Sequence, residues 1–115
     1  MTITRIKPGP RMSQCVVHGD TVYTAGQIAD DSSEDVAGQT RQVLAKIDGL
    51  LAEAGSNKSK ILKATIWLTD ISRFNDMNSV WDAWVDQDNP PVRACVESTL
   101  AMPALSVEIM VEAAK

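Results

Sequence analysis

The sequence predicts an α+β fold, a mixed β-sheet with two helices layered on one of its faces. Three observations predict it. Stretches rich in β-branched residues alternate at period two, two intervening stretches carry apolar residues at steps of three and four, and turn residues separate them. The resulting order is strand, hairpin, helix, strand, helix, hairpin, and helices on one face leave the other bare.

Thr2 to Lys7 holds Thr2, Ile3, Thr4 and Ile6 and predicts a short edge strand ahead of the Pro8-Gly9-Pro10 turn. Ile3 and Ile6 have opposite parity, so they mark no common buried face. Cys15 to His18 and Thr21 to Thr24 flank Gly19-Asp20, a two-residue hairpin signal in which glycine supplies the positive φ. His18 sits at that turn, where an exposed imidazole is the ordinary outcome. Ala25-Gly26-Gln27 ends the second hairpin strand. A glycine there either relieves backbone strain or lets another group approach the main chain closely.

Asp30 to Glu34 is rich in capping residues, and Val36, Thr40, Val43, Leu44, Ile47, Leu50 and Leu51 follow at helical spacing, ending near Gly55. After the polar connector Ser56 to Lys60, the stretch Ile61 to Thr69 predicts a central strand with Leu62, Ala64, Ile66 and Leu68 on one side. From Ser72, taken as the cap, Phe74, Met77, Trp81, Trp84 and Val85 define a second helix that stops before Asn89-Pro90-Pro91. The tryptophans are expected as core or interface filler. Asn78 shares their stripe, and an amide there must be tied to a backbone group or kept for a ligand.

Pro90 to Glu108 is where the chemistry is expected. From Val92 the chain alternates Val92, Ala94 and Val96 against Arg93, Cys95 and Glu97; after Met102-Pro103, Leu105, Val107, Ile109 and Val111 alternate with Ser106, Glu108, Met110 and Glu112. The two segments are expected to pair as antiparallel neighbours, joined by a tight turn, a bulge or a longer loop. If both apolar sets share one buried face, Arg93, Cys95, Glu97 and Glu108 share the other. That surface is either a reactive constellation or an ordinary solvated face whose ion pair is worth roughly 0 to 1 kcal/mol.

The totals narrow the function classes. At 115 residues the chain fits one domain, 1–115. A net charge of −4 argues against nucleic acid or an anionic membrane as main partner. Two cysteines form no disulfide framework and no apolar signal segment follows Met1, so a reduced, cytoplasmic protein is expected. No run approaches the roughly 18 apolar residues of a membrane helix. With a single histidine, no Cys-x-x-Cys pair and no glycine-rich phosphate loop, neither a metal nor a cofactor is expected. The bare sheet face predicts a homo-oligomer with sites at its seams.

The chain resembles the RidA (YjgF-like) family of reactive intermediate deaminases over essentially its whole length. The resemblance is carried by Gly9-Pro10 with Ser13-Gln14, Ala25-Gly26-Gln27, Val36 to Leu44, Asn78, Pro91-Val92-Arg93 with Cys95, and Val107-Glu108-Ile109. It implies a chorismate-mutase-like fold, a homotrimer, and inter-subunit clefts that hydrolyse 2-imino acids to 2-oxo acids and ammonia. Arg93 would hold the substrate carboxylate, Gly26 and the Cys95 main chain would line the pocket, Asn78 would support it, and Glu108 would position water. A covalent role for the Cys95 thiol needs a base beside it that the pattern lacks. Alternatives are a carboxylate-binding trimer without turnover, and a stress-linked interaction or ribonuclease-like protein. Two departures mark a divergent subgroup: Arg11-Met12 replaces the tyrosine of better-known members, and the interval from Asn78 to Arg93 is shorter. Met12 can line a pocket but supplies no hydroxyl.

Overall fold

Gly19 takes φ +60° and closes the hairpin between β2 (Ser13–His18) and β3 (Thr21–Thr24), with His18 opposite Thr21. The computed structural model, which describes residues 1–115, adds β1 (Ile3–Pro8) antiparallel to β2. Ile6 lies opposite buried Cys15 and packs on the core, whereas Ile3 is exposed, as their opposite parity requires.

Helix α1 (Val36–Glu53) starts at Asp35, one residue past the capping cluster, whose carboxylate accepts from Gly38 N at 2.8 Å. It stops at Gly55, whose φ of +82° lets Ser56 N reach Leu51 O at 2.8 Å and Gly55 N reach Ala52 O at 3.1 Å. Val43, Leu44, Ile47, Leu50 and Leu51 are buried, the stripe read from the sequence. Each such side chain contributes about 1.5–3 kcal/mol when fully buried.

Strand β4 (Ile61–Leu68) buries Ala64, Ile66 and Leu68, but Leu62 is exposed and Ile61 buried in its place. The cause is a register shift between Ile61 and Lys63, which reverses the alternation at the start of the strand. Helix α2 (Phe74–Trp84) is entered through a 3₁₀ turn, Ile71–Arg73. The side-chain cap is that of this turn and is Asp70, not Ser72: its Oδ1 accepts from Ser72 N at 3.0 Å and Ser72 Oγ at 2.6 Å, and α2 itself follows Arg73 with no side-chain cap. The Ser72 hydroxyl and amide hold the Asp70 carboxyl below its ordinary range.

The largest departure from expectation is at the C-terminal end. Strands β5 (Val92–Glu97) and β6 (Val107–Ala114) are not neighbours. The sheet order is β1-β2-β3-β6-β4-β5, with β6 antiparallel to both β3 and β4, and β5 at the edge, parallel to β4. Residues 98–106 form a longer loop that carries the chain past β4. The physical reason lies in burial: Val107, Ile109, Val111 and Ala113 are all buried, which suits a strand paired on both sides, while β5 buries no residue fully.

Register assigns the faces. Val111, Ala64 and Arg93 lie side by side, as do Ile109, Ile66 and Cys95, on the side that α1 and α2 cover. On the other side run Glu112–Lys63–Val92, Met110–Thr65–Ala94 and Glu108–Trp67–Val96. No helix covers this second face, and Ile3, Tyr23, Val92 and Val96 expose apolar surface. The apolar set of β5 thus serves the uncovered face, the reverse of the expected parity. Arg93 and Glu108 lie on opposite faces.

Candidate functional site

Arg93 is held by three residues of α2. Its Nη1 donates to Asn78 Oδ1 at 2.7 Å, and its guanidinium carbon stands 5.3 Å from the Trp81 ring centroid and 5.5 Å from that of Phe74. Phe74, Asn78 and Trp81 follow one another at four and three residues, so one helix face meets one arginine on the adjacent edge strand. Aromatic planes and a single amide acceptor fix the guanidinium without neutralising it.

The three ion pairs of the chain are Lys7–Glu53, Lys46–Asp30 and Arg73–Asp76. None involves Arg93, which removes the surface ion-pair reading of this strand. Glu97, four residues further along the strand and on the same side, instead accepts from Ile71 N at 3.0 Å and ties β5 to the turn that leads into α2. The remaining N–H groups of Arg93 are therefore available to a planar anion.

Cys95 is half-buried beside the core. Desolvation pushes its thiol above the ordinary value, only partly offset by the Arg93 charge, so it stays protonated at neutral pH. Its side chain acts as packing. Cys15 is buried and likewise raised, by desolvation and then by the Glu53 charge.

The second group of residues is built around Gly26. A Cβ at this position would overlap the Glu108 carboxylate, so glycine is needed to let that carboxylate lie against the main chain. Of the two roles a glycine here could have, close approach is the one observed. The next residue, Gln27, exchanges both backbone hydrogen bonds with Ile109, at 2.8 and 3.1 Å, which fixes β6 beside Gly26. Gln27 is buried, and its Nε2 donates to Gln14 Oε1 at 3.0 Å and Ala25 O at 3.1 Å. Gly26 and half-exposed Met12 share a concavity of about 540 Å³ with Gln14 and Lys46.

The predicted site residues therefore fall into separate groups: Arg93, Asn78 and Cys95 on the helix-covered side at the β5 edge, Gly26 with Glu108 at the central strand β6, and Met12 in the concavity that Gly26 also lines. Arg93 and Glu108 are separated by two strand spacings and three residues of register, about 10 Å in each direction, besides lying on opposite faces. A small substrate cannot touch both within one chain. Sequence reasoning missed Phe74 and Trp81 as the platform of Arg93: it read the tryptophans as core or interface filler, which Trp81, buried in the core, also is. The available signal was Asn78 between them on a single helical stripe. No three His, Cys, Asp or Glu side chains come together in a ligating group, and no helix is long and apolar enough to cross a membrane.

This architecture, a mixed six-stranded sheet with two helices on one face, defines the fold class. The family model described as Endoribonuclease L-PSP matches residues 2–115. A RutC family protein of Haemophilus influenzae is 47% identical over 112 residues, covering 96% of this chain and 97% of that one. The RutC family protein YoaB of Escherichia coli is 45% identical and covers 99% of each. The crystal structure of a YjgF-family member from Neisseria meningitidis superposes with a TM-score of 0.97 at 43% identity, covering 100% of this chain and 96% of that one. The chain belongs to this L-PSP/YjgF/RutC family, and the family resemblance read from its motifs is borne out.

Proposed function

We propose that the protein hydrolyses reactive 2-imino acids to 2-oxo acids and ammonia, at clefts between the subunits of a homotrimer. The observation that carries this reading is Arg93: a guanidinium caged by Asn78, Phe74 and Trp81, with no carboxylate partner of its own. It is suited to the planar carboxylate common to such substrates. The opposite placement of Glu108 supports a cleft between copies, in which Arg93 on the edge strand of one subunit meets the Glu108–Gly26 group on the uncovered sheet face of another.

In that cleft Arg93 binds the carboxylate and orients the adjacent C=N carbon. Glu108 accepts a proton from water as its oxygen bonds to that carbon, giving a carbinolamine. From the carbinolamine of a protonated imine, the same carboxyl returns the proton to nitrogen, and the C–N bond breaks with release of ammonia as the hydroxyl proton passes back to the Glu108 carboxylate and the C=O forms. Gly26 and Met12 line the cleft, and the Cys95 main chain completes it. Cys95→Ser is expected to keep most of the turnover, measured as 2-oxo acid release; total loss in a folded protein would make the thiol a nucleophile.

The test is direct. 2-Iminopropanoate, generated in situ by an amino-acid dehydratase, is expected to yield pyruvate and ammonia faster when the protein is present. A second reading, a carboxylate-binding trimer without turnover, is favoured by Met12, which brings no hydroxyl to the cleft. It predicts pyruvate binding with an unchanged hydrolysis rate. The ribonuclease-like reading finds less support, since a chain of net charge −4 repels RNA phosphates. Sedimentation is expected to give three times the chain mass with or without reductant, and a monomer would overturn the cleft between copies.

A further inference from the structure

Between α1 and α2, on the helix layer and away from the uncovered sheet face, lies a groove of about 410 Å³. It is open because two of its lining positions, Ala45 and Ala83, carry only methyl side chains. Leu44 and Val80 form an apolar floor and Trp84 a wall. Trp84 is fixed from both directions: its Nε1 donates to Asp48 Oδ2 at 2.9 Å, and Lys58 Nζ stands 5.5 Å from its ring centroid. That hydrogen bond engages the one carboxylate of the groove. Arg41 and Lys58, both on its walls, enter no ion pair. Two cations therefore border an apolar floor in a chain whose net charge is −4.

The geometry points to a second ligand site in this groove, for a small organic monoanion with an apolar or aromatic body. The body lies against Leu44, Val80 and the Trp84 ring, and the anionic head meets the Arg41 guanidinium. Lys58, on the groove wall beside the Trp84 ring, adds favourable field. A neutral ring lacks the head and inorganic phosphate lacks the body, so neither uses both halves. The site stays open when the opposite sheet face is covered by other subunits, and it does not depend on imine chemistry.

The probe is 3-phenylpropanoate, titrated into the full-length protein and followed by tryptophan fluorescence and calorimetry, with inorganic phosphate as control. Saturable binding is expected in the parent and, undiminished, in Arg93→Ala. Arg41→Gln is expected to weaken it about tenfold through loss of a charge-assisted hydrogen bond. Ala83→Leu, at an exposed position, is expected to abolish it by filling the groove. Absence of saturable binding, equal affinity in Arg41→Gln, or loss in Arg93→Ala would each overturn the assignment, the last by placing the probe at the Arg93 site. A protein that binds this probe but hydrolyses no imine would leave the groove standing and remove the catalytic reading alone.

Discussion

Arg93→Ala is expected to weaken pyruvate binding by thirtyfold or more, the consequence of losing about 2–5 kcal/mol with a part-buried, hydrogen-bonded charge. Arg93→Lys distinguishes the fork from the charge. An ammonium keeps the attraction but cannot span both carboxylate oxygens, nor lie flat beside Trp81 and Phe74 while bonding Asn78 Oδ1. Its affinity is expected to fall between those of the parent and the alanine variant. Calorimetric titration of the three proteins, each first shown to be a folded oligomer, decides the matter. Equal affinities would mean that the aromatic cage is structural packing and that carboxylates bind elsewhere.

Glu108→Gln is expected to lower the rate of imine hydrolysis by about 10²–10⁴ while leaving pyruvate affinity nearly unchanged. Glutamine matches glutamate in size, so it still fits beside Gly26, where any added Cβ would collide. Only the proton acceptor is removed. The two variants therefore separate binding from chemistry: Arg93 changes affinity first, and Glu108 changes turnover at saturating substrate. A Glu108→Gln protein with parental turnover would take the carboxylate out of the mechanism. A glutamine protein that also lost binding would show that Glu108 shapes the cleft rather than moving protons.

Local signals were legible where a few neighbouring residues decide the conformation. Gly19 set the first hairpin, the steps of three and four set the buried faces of α1 and α2, and Gly55 set the end of α1. Each depends on backbone angles or side-chain spacing within one element. Even these had limits. The exchange of Ile61 for Leu62 at the start of β4 comes from a register shift against β6, and Asp70 captured the cap role from Ser72 through its bonds to the Ser72 amide and hydroxyl.

What the sequence determined by itself was therefore the kind and order of the elements, most of their internal faces, and the candidate residues Arg93, Asn78, Gly26 and Glu108. The tertiary structure alone decided how those residues are distributed. Alternation states which residues of a strand share a side, but the side each strand turns to the helices depends on its neighbours. β6 is paired on both sides at the sheet centre and β5 lies parallel to β4 at the edge, so the apolar residues of β5 turn to the uncovered face and Arg93 turns to α2. Long-range pairing places Arg93 in an aromatic cage and Glu108 against Gly26 on the far face, an arrangement no spacing along the chain encodes.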